Sequence, residues 1–247
     1  MSTPSLKGAL PASPARPYMQ GRPPLARGAR VTIGMQPDYA RARLNMVDTQ
    51  VRVNDVTDLQ VQDAMRAAPR ERLLAPARAH LAYAEADMSY APGWFLAQPR
   101  NVSKLLQAVR PRPGERALAV AAPYAALVMA SIGARVTVRQ PPGAPSDAVA
   151  EVLREAGCTV EAGDITRLGD EGPFDVIVCE GGLQRPPEAW ARALAVNGRM
   201  GVFEREGPVG KARLYVQAED GPLARRELFD ATPEWMPGFA PQPAFSL

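Results

Sequence analysis

Apolar and polar positions first fall into a regular pattern at Asp38. Tyr39, Ala42, Met46, Gln50 and Val53 lie three or four residues apart and mark one face of a helix. A second helix follows Asp58, with Leu59, Val61, Ala64 and Met65 on its apolar side. Residues 76–98 are mixed, and Pro92–Gly93 marks a turn. A third helix follows Pro99 and carries Val102, Leu105, Leu106 and Val109 on one face, so 38–109 reads as a helical cap. From 110 the period alternates. Strand 117–121 leads to a helix opened by Pro123, and strand 135–138 to helix 147–156, with Ser146 as N-cap and Gly157 as stop. Short strand 158–161 comes next, then strand 174–179, helix 187–195 and strand 199–204. At 207–210 the stretch Gly-Pro-Val-Gly joins two strands directly, and Arg225–Asp230 makes a last one. These elements predict an α/β fold for 110–247: a doubly wound, mostly parallel, seven-stranded sheet ending in an antiparallel hairpin.

Composition adds an arm and excludes several classes. Residues 1–37 hold seven prolines, one lysine and four arginines, with no acidic residue before Asp38. Such an arm is expected to be disordered and solvated, and deleting it is expected to leave the melting temperature nearly unchanged. The net charge of +3 is small, which argues against a nucleic-acid partner. No run approaches the ~18 apolar residues of a membrane span, and the N-terminus has no apolar signal-peptide centre. Cys158 and Cys179 sit in apolar runs as small core residues, so the expectation is a reducing, cytoplasmic setting without membrane association.

In an open α/β sheet the ligand binds beyond the carboxyl ends of the strands, where strand order reverses. The candidate site therefore draws on 119–124, 138–140, 162–165 and 179–183. The first segment reads Ala119-Val120-Ala121-Ala122-Pro123, with no glycine to let a ligand near the backbone. The second ends in Arg139–Gln140, so a carboxylate for ribose hydroxyls is absent and Gln140 offers an uncharged substitute. In the third, Gly163 can turn sharply and Asp164 can accept from an exocyclic amine, although Gly-Asp is also an ordinary turn pair. His80 is the only histidine and is expected to be buried or to cap a helix; no nucleophile stands beside it in sequence. Glu85 and Asp87 read as turn carboxylates, Trp190 reads as core, and no metal-ligand spacing is present.

From Ala42 onward, about four-fifths of the chain resembles the protein-L-isoaspartate O-methyltransferase family. The resemblance rests on MVDTQV (46–51), DVTDLQVQDAMRAAPRERLLAP (55–76), AYAEADM (82–88) and Gln98–Pro99. It continues through GPFDVIVCEGG (172–182), NGRMGVF (197–203) and GKARLY (210–215), and LFDATPEWMPGF is similar to a bacterial branch. It implies a Rossmann-like methyltransferase fold, S-adenosylmethionine as cofactor, and isoaspartyl-bearing proteins or peptides as substrates. The carboxylate of such a substrate needs no base to attack a sulfonium methyl. Alignment alone can then be worth ~7–11 kcal/mol, and the lack of a catalytic triad counts for nothing.

Three segments depart from the family pattern. The glycine-rich cofactor loop corresponds to AVAAPYAA, so Ala119, Val120 and Ala121 stand in the cofactor positions. The acidic residue after the second strand corresponds to Arg139 or Gln140. The substrate loop Gly-Gln-Thr-Ile-Ser corresponds to Gly93-Trp94-Phe95-Leu96-Ala97, which leaves Phe95, Leu96 and Ala97 where hydroxyls would contact cofactor or substrate. Each lost polar contact costs ~1–3 kcal/mol. The turn 121–124 is expected to be closed, with Trp94 and Phe95 folded over it, and restoring its glycines is expected to cost stability. Two readings stay open: an active enzyme with an unusual pocket, or a catalytically silent relative that binds or scaffolds. A third gives Arg139 a phosphate.

Overall fold

The helical spacing at the start of the pattern becomes α1 (Tyr39–Met46), capped by Asp38, and continues through a π-helical turn at Val47–Val51. The structure is a computed structural model that describes residues 38–142, 144, 146–168, 172–219 and 221–241; the expectations for 1–37 fall outside them. α2 (Leu59–Ala67) begins at Asp58, whose Oδ1 accepts from the N–H groups of Gln60 and Val61 at 2.9 and 3.2 Å. Residues 76–98 hold more order than their mixed sequence suggests. After a 3₁₀ turn at Pro76–Leu81, β1 (Met88–Ala91) and β2 (Trp94–Leu96) form an antiparallel hairpin around Gly93, whose φ is +77°. The cap is therefore helices plus a small hairpin. α3 (Pro99–Val109) buries Val102, Leu105, Leu106 and Val109 on one face.

The alternation from residue 116 builds the main sheet. Its elements are β3 (Arg116–Val120), α4 (Pro123–Ile132), β4 (Arg135–Gln140), α5 (Asp147–Glu155), β5 (Thr159–Ala162), β6 (Phe174–Leu183), α6 (Glu188–Arg192), β7 (Leu194–Glu206), β8 (Val209–Val216) and β9 (Ala224–Asp230). The seven strands lie in the order β5-β4-β3-β6-β7-β8-β9. Pairing is parallel from β5 to β7, and antiparallel between β7 and β8 and between β8 and β9. The chain leaves β3 toward β4 and β5, then crosses back to β6. The switch point thus lies at the carboxyl ends of β3, β4 and β6.

Side-chain alternation divides the core between the two faces of the sheet. Ala117, Ala119, Val136, Val138, Val176 and Val178 face one cluster, which takes in the cap and α3 to α5. Leu118, Val120, Ile177, Cys179, Met200 and Val202 face the other, with Trp190 of α6, Ile165, Leu168 and Met236. α4 is apolar all round, with Tyr124 through Met129 buried, because it is covered by the sheet and by the cap.

Candidate functional site

The switch point gathers most of the expected residues. Ala119 and Val120 are fully buried at the end of β3, and Ala121 is 2% exposed. The Ala121 N–H donates to the Arg139 carbonyl at 2.9 Å, and Ala121 lies in the left-handed region at φ +46°. An alanine is strained there by roughly 1–2 kcal/mol, so a glycine at 121 relieves strain, contrary to the cost expected from sequence. Gln140, 1% exposed, accepts from the Tyr90 hydroxyl at 3.2 Å. Gly163 follows β5, and its N–H donates to the Gln140 carbonyl at 2.9 Å. Asp164 belongs to its own turn: Oδ1 accepts from the Thr166 N–H and hydroxyl at 2.8 and 2.6 Å, bonds that hold its carboxyl below the usual carboxylate range. Phe95 is half-buried, whereas Leu96 and Ala97 are buried; Trp94 touches both core clusters.

Other side chains complete the site, in roles that the sequence reading did not give them. The Arg139 guanidinium, paired with Glu161 at 2.9 Å, stands over Gly163 so closely that a Cβ there would lie 2.5 Å from Nη1. A phosphate at Arg139, the third option, would have to share this guanidinium with Glu161. Met236 presses on Gly181 in the same way, and its Sδ lies 3.4 Å from the Cys179 Sγ. The segment carrying Met236 is held at the end of β6 by Gly182, whose N–H donates to the Glu234 carbonyl at 2.8 Å and whose carbonyl accepts from the Met236 N–H at 2.9 Å. Asp87 ties both borders together, accepting from the Gln98 and Glu234 N–H groups at 3.0 Å each. It is a clamp rather than a turn carboxylate.

Glu180 is the most unusual member. It follows Val176 and Val178 on one face of β6 and is 1% exposed. Its carboxylate accepts from the Ala97 N–H at 3.2 Å, the Ala125 N–H at 2.6 Å and the Tyr124 N–H. Arg70, fully buried in the cap, stacks on the Tyr124 ring at 4.5 Å and donates to the carbonyls of Ala82 and Ala97 at 2.8 Å each. Burial pushes the Glu180 carboxyl up to about 7 against the opposing pull of Arg70 and the three N–H groups, and burial likewise lowers the affinity of Arg70 for its proton. The signal for Glu180 was available in the sequence: a carboxylate in phase with Val176 and Val178 must point into the core.

Other candidates are less specific. His80 is exposed on its 3₁₀ turn, contrary to the buried or capping role expected of it. Trp190 is core, its indole N–H donating to the Ile165 carbonyl at 2.7 Å, and both cysteines are buried and unpaired. A groove of about 650 Å³ is lined by Arg167, Leu168, Gly172, Pro173, Ala189, Arg192 and Ala193, but its two arginines already pair with Asp164 and Glu188. Among the described residues no cluster could hold a metal ion and no helix is long and apolar enough to cross a membrane.

Residues 42–221 match the family model of protein-L-isoaspartate (D-aspartate) O-methyltransferases. The chain is 35% identical over 173 residues to the protein-L-isoaspartate O-methyltransferase of Methylorubrum extorquens, covering 66% of this chain and 74% of that one. It is 33% identical over 201 residues to that of Koribacter versatilis, covering 78% and 89%. Among solved structures, a protein-L-isoaspartate O-methyltransferase shares the fold at a TM-score of 0.66 and 21% identity, over 79% of this chain and 66% of that one. A Plasmodium falciparum structure assigned as a β-aspartate methyltransferase, in complex with S-adenosyl-L-homocysteine, superposes at 0.67 and 16% identity, over 81% and 99%. The chain belongs to the protein-L-isoaspartate (D-aspartate) O-methyltransferase family.

Proposed function

We propose that this chain is a catalytically silent member of its family, a binding or scaffolding module whose cofactor crevice is filled by its own side chains. The observation that carries this reading is the closure of the switch point. S-adenosylmethionine needs room over the β3–α4 turn, an acceptor for its ribose hydroxyls at the end of β4 and a donor surface at the start of α4. Here Ala121 and Ala122 are 2% and 0% exposed. The Gln140 carbonyl oxygen of the side chain is taken by Tyr90, the approach to Gly163 by the Arg139 guanidinium, and the first N–H groups of α4 by Glu180. In this reading the residues present do not fit the cofactor, and no methyl transfer runs through the crevice. In this reading Ala119, Val120, Ala121, Gln140 and Gly163 keep the framework of a cofactor site without its function.

The second reading, an active isoaspartyl methyltransferase acting on damaged proteins or peptides, is favoured by the family match, which spans residues 42–221 and so all of the site but the segment carrying Met236. Two unpaired cysteines suit a reducing, cytoplasmic place of action under either reading. Calorimetric titration of the full chain with S-adenosylhomocysteine separates them. The silent reading expects no saturable binding and no methylation of an isoaspartyl peptide. Micromolar affinity with turnover would establish the enzyme instead.

A further inference from the structure

The first turn of α4 carries the donors that an anion needs. A ten-residue helix that starts at Pro123 presents the N–H groups of Tyr124 and Ala125 with no partner inside the helix, and its dipole favours negative charge there. The Ala97 N–H converges on the same point from the end of β2. A second observation marks the place independently. Arg70 is fully buried, and of its nitrogens Nε and Nη2 donate to carbonyls while Nη1, equally buried, has no hydrogen-bond acceptor. The guanidinium is held by the Tyr124 ring on the same turn and interacts electrostatically with Glu180. Three backbone donors and a buried cation thus surround one carboxylate, and that carboxylate comes from the protein itself.

We propose that Glu180 is a built-in surrogate ligand: its carboxylate occupies a site for a small carboxylate, and the site takes a free one when the side chain is removed. This rests on the reading of the crevice as filled from within. The surroundings define the ligand class. Ala97, Tyr124 and Ala125 offer N–H groups to two oxygens of one planar anion, and Ala97, Tyr124, Ala125 and the neighbouring Leu96 and Ala122 are all buried. A group of the size of formate or acetate, or the carboxylate end of an amino acid, meets both conditions.

The test is thermal melting of the full chain at pH 8, where Glu180 is ionised, in sodium formate or sodium chloride at equal ionic strength. Glu180→Ala is expected to melt well below the natural protein in chloride. Formate should restore at least half of that loss with a saturable concentration dependence, and should leave the natural protein unmoved. Glu180→Gln keeps the space filled and should give no formate response. Equal shifts in all three proteins, or none in Glu180→Ala, overturn the proposal. If Glu180→Ala does not fold in chloride, refolding in formate must recover folded protein; failure to do so also overturns it. S-adenosylhomocysteine binding by the natural protein would sink the closed-crevice reading, a result the formate measurement cannot produce.

Discussion

Two charged networks in this molecule use the same chemistry in opposite surroundings. At the sheet's far edge, Lys211 pairs with Glu227 and Asp230 at 2.7 and 2.6 Å, and Arg213 with Glu227 at 2.6 Å. These are cross-strand partners on β8 and β9, with the Glu227 and Asp230 side chains 49% and 82% exposed. At the switch point, Arg70 and Glu180 are 0% and 1% exposed. Water screens the first network and contributes nothing to the second. The edge ladder therefore keeps the exposed strand soluble and adds little stability. The buried network is a commitment: once both charges are out of water, neither can be removed alone without leaving the other uncompensated.

The largest effect should follow from breaking the buried network on one side. Arg70→Met keeps most of the volume but leaves Glu180 without its cation and two buried carbonyls without a donor. Urea denaturation should show a loss on the order of 3–5 kcal/mol. Adding Glu180→Gln to that variant should return part of the loss, because the two sites are coupled. A double variant no better than the single one would show that Arg70 acts only through the carbonyls.

A smaller effect concerns pH. Glu180 is raised from an ordinary 4.5 to about 7, so the folded state holds its proton more tightly than the unfolded chain does. The stability this contributes is complete below about pH 4.5 and is lost as pH rises to about 7. At about 1.4 kcal/mol per tenfold change in proton affinity, the loss is bounded at about 3.5 kcal/mol. Melting of the natural protein between pH 4.5 and 8 should show a decline that Glu180→Gln flattens. Parallel curves for the two proteins would place the titration elsewhere.

The edge ladder should give the smallest response. Glu227→Gln should move the melting temperature by about a degree or less, and 1 M salt should erase even that, since the Debye length falls to about 3 Å. A shift as large as that of Arg70→Met would mean that the contrast between the two networks is misdrawn.

Local sequence determined the elements. The positions of α2, α3, β3, β4, β5 and β9, and the hairpin after β7, follow from apolar period, capping residues and turn residues, all of which act over a few neighbours. Where a partner distant in sequence shapes an element, the reading fell short. The β1–β2 hairpin is short and its two strands pair chiefly with each other, so its alternation is too brief to register. β6 extends to Leu183, past the expected 179, where Gly182 bridges to Trp235. β7 starts at Leu194 rather than 199 and runs to Glu206, paired along β8. The absence of glycine from 119–123 was legible, and so was the absence of hydroxyls at Phe95, Leu96 and Ala97. The contacts that pack around these positions were not: Arg139 over Gly163, Met236 over Gly181, Tyr90 on Gln140, and Glu180 on the turn of α4. Glu180 meets donors 83 and 55 residues away, and Met236 meets a sulfur 57 residues away. Burial and charge pairing at such separations are decided by chain crossings that no local pattern encodes. The sequence alone determined which family frame this chain adopts, and only the folded chain decided what occupies the centre of that frame.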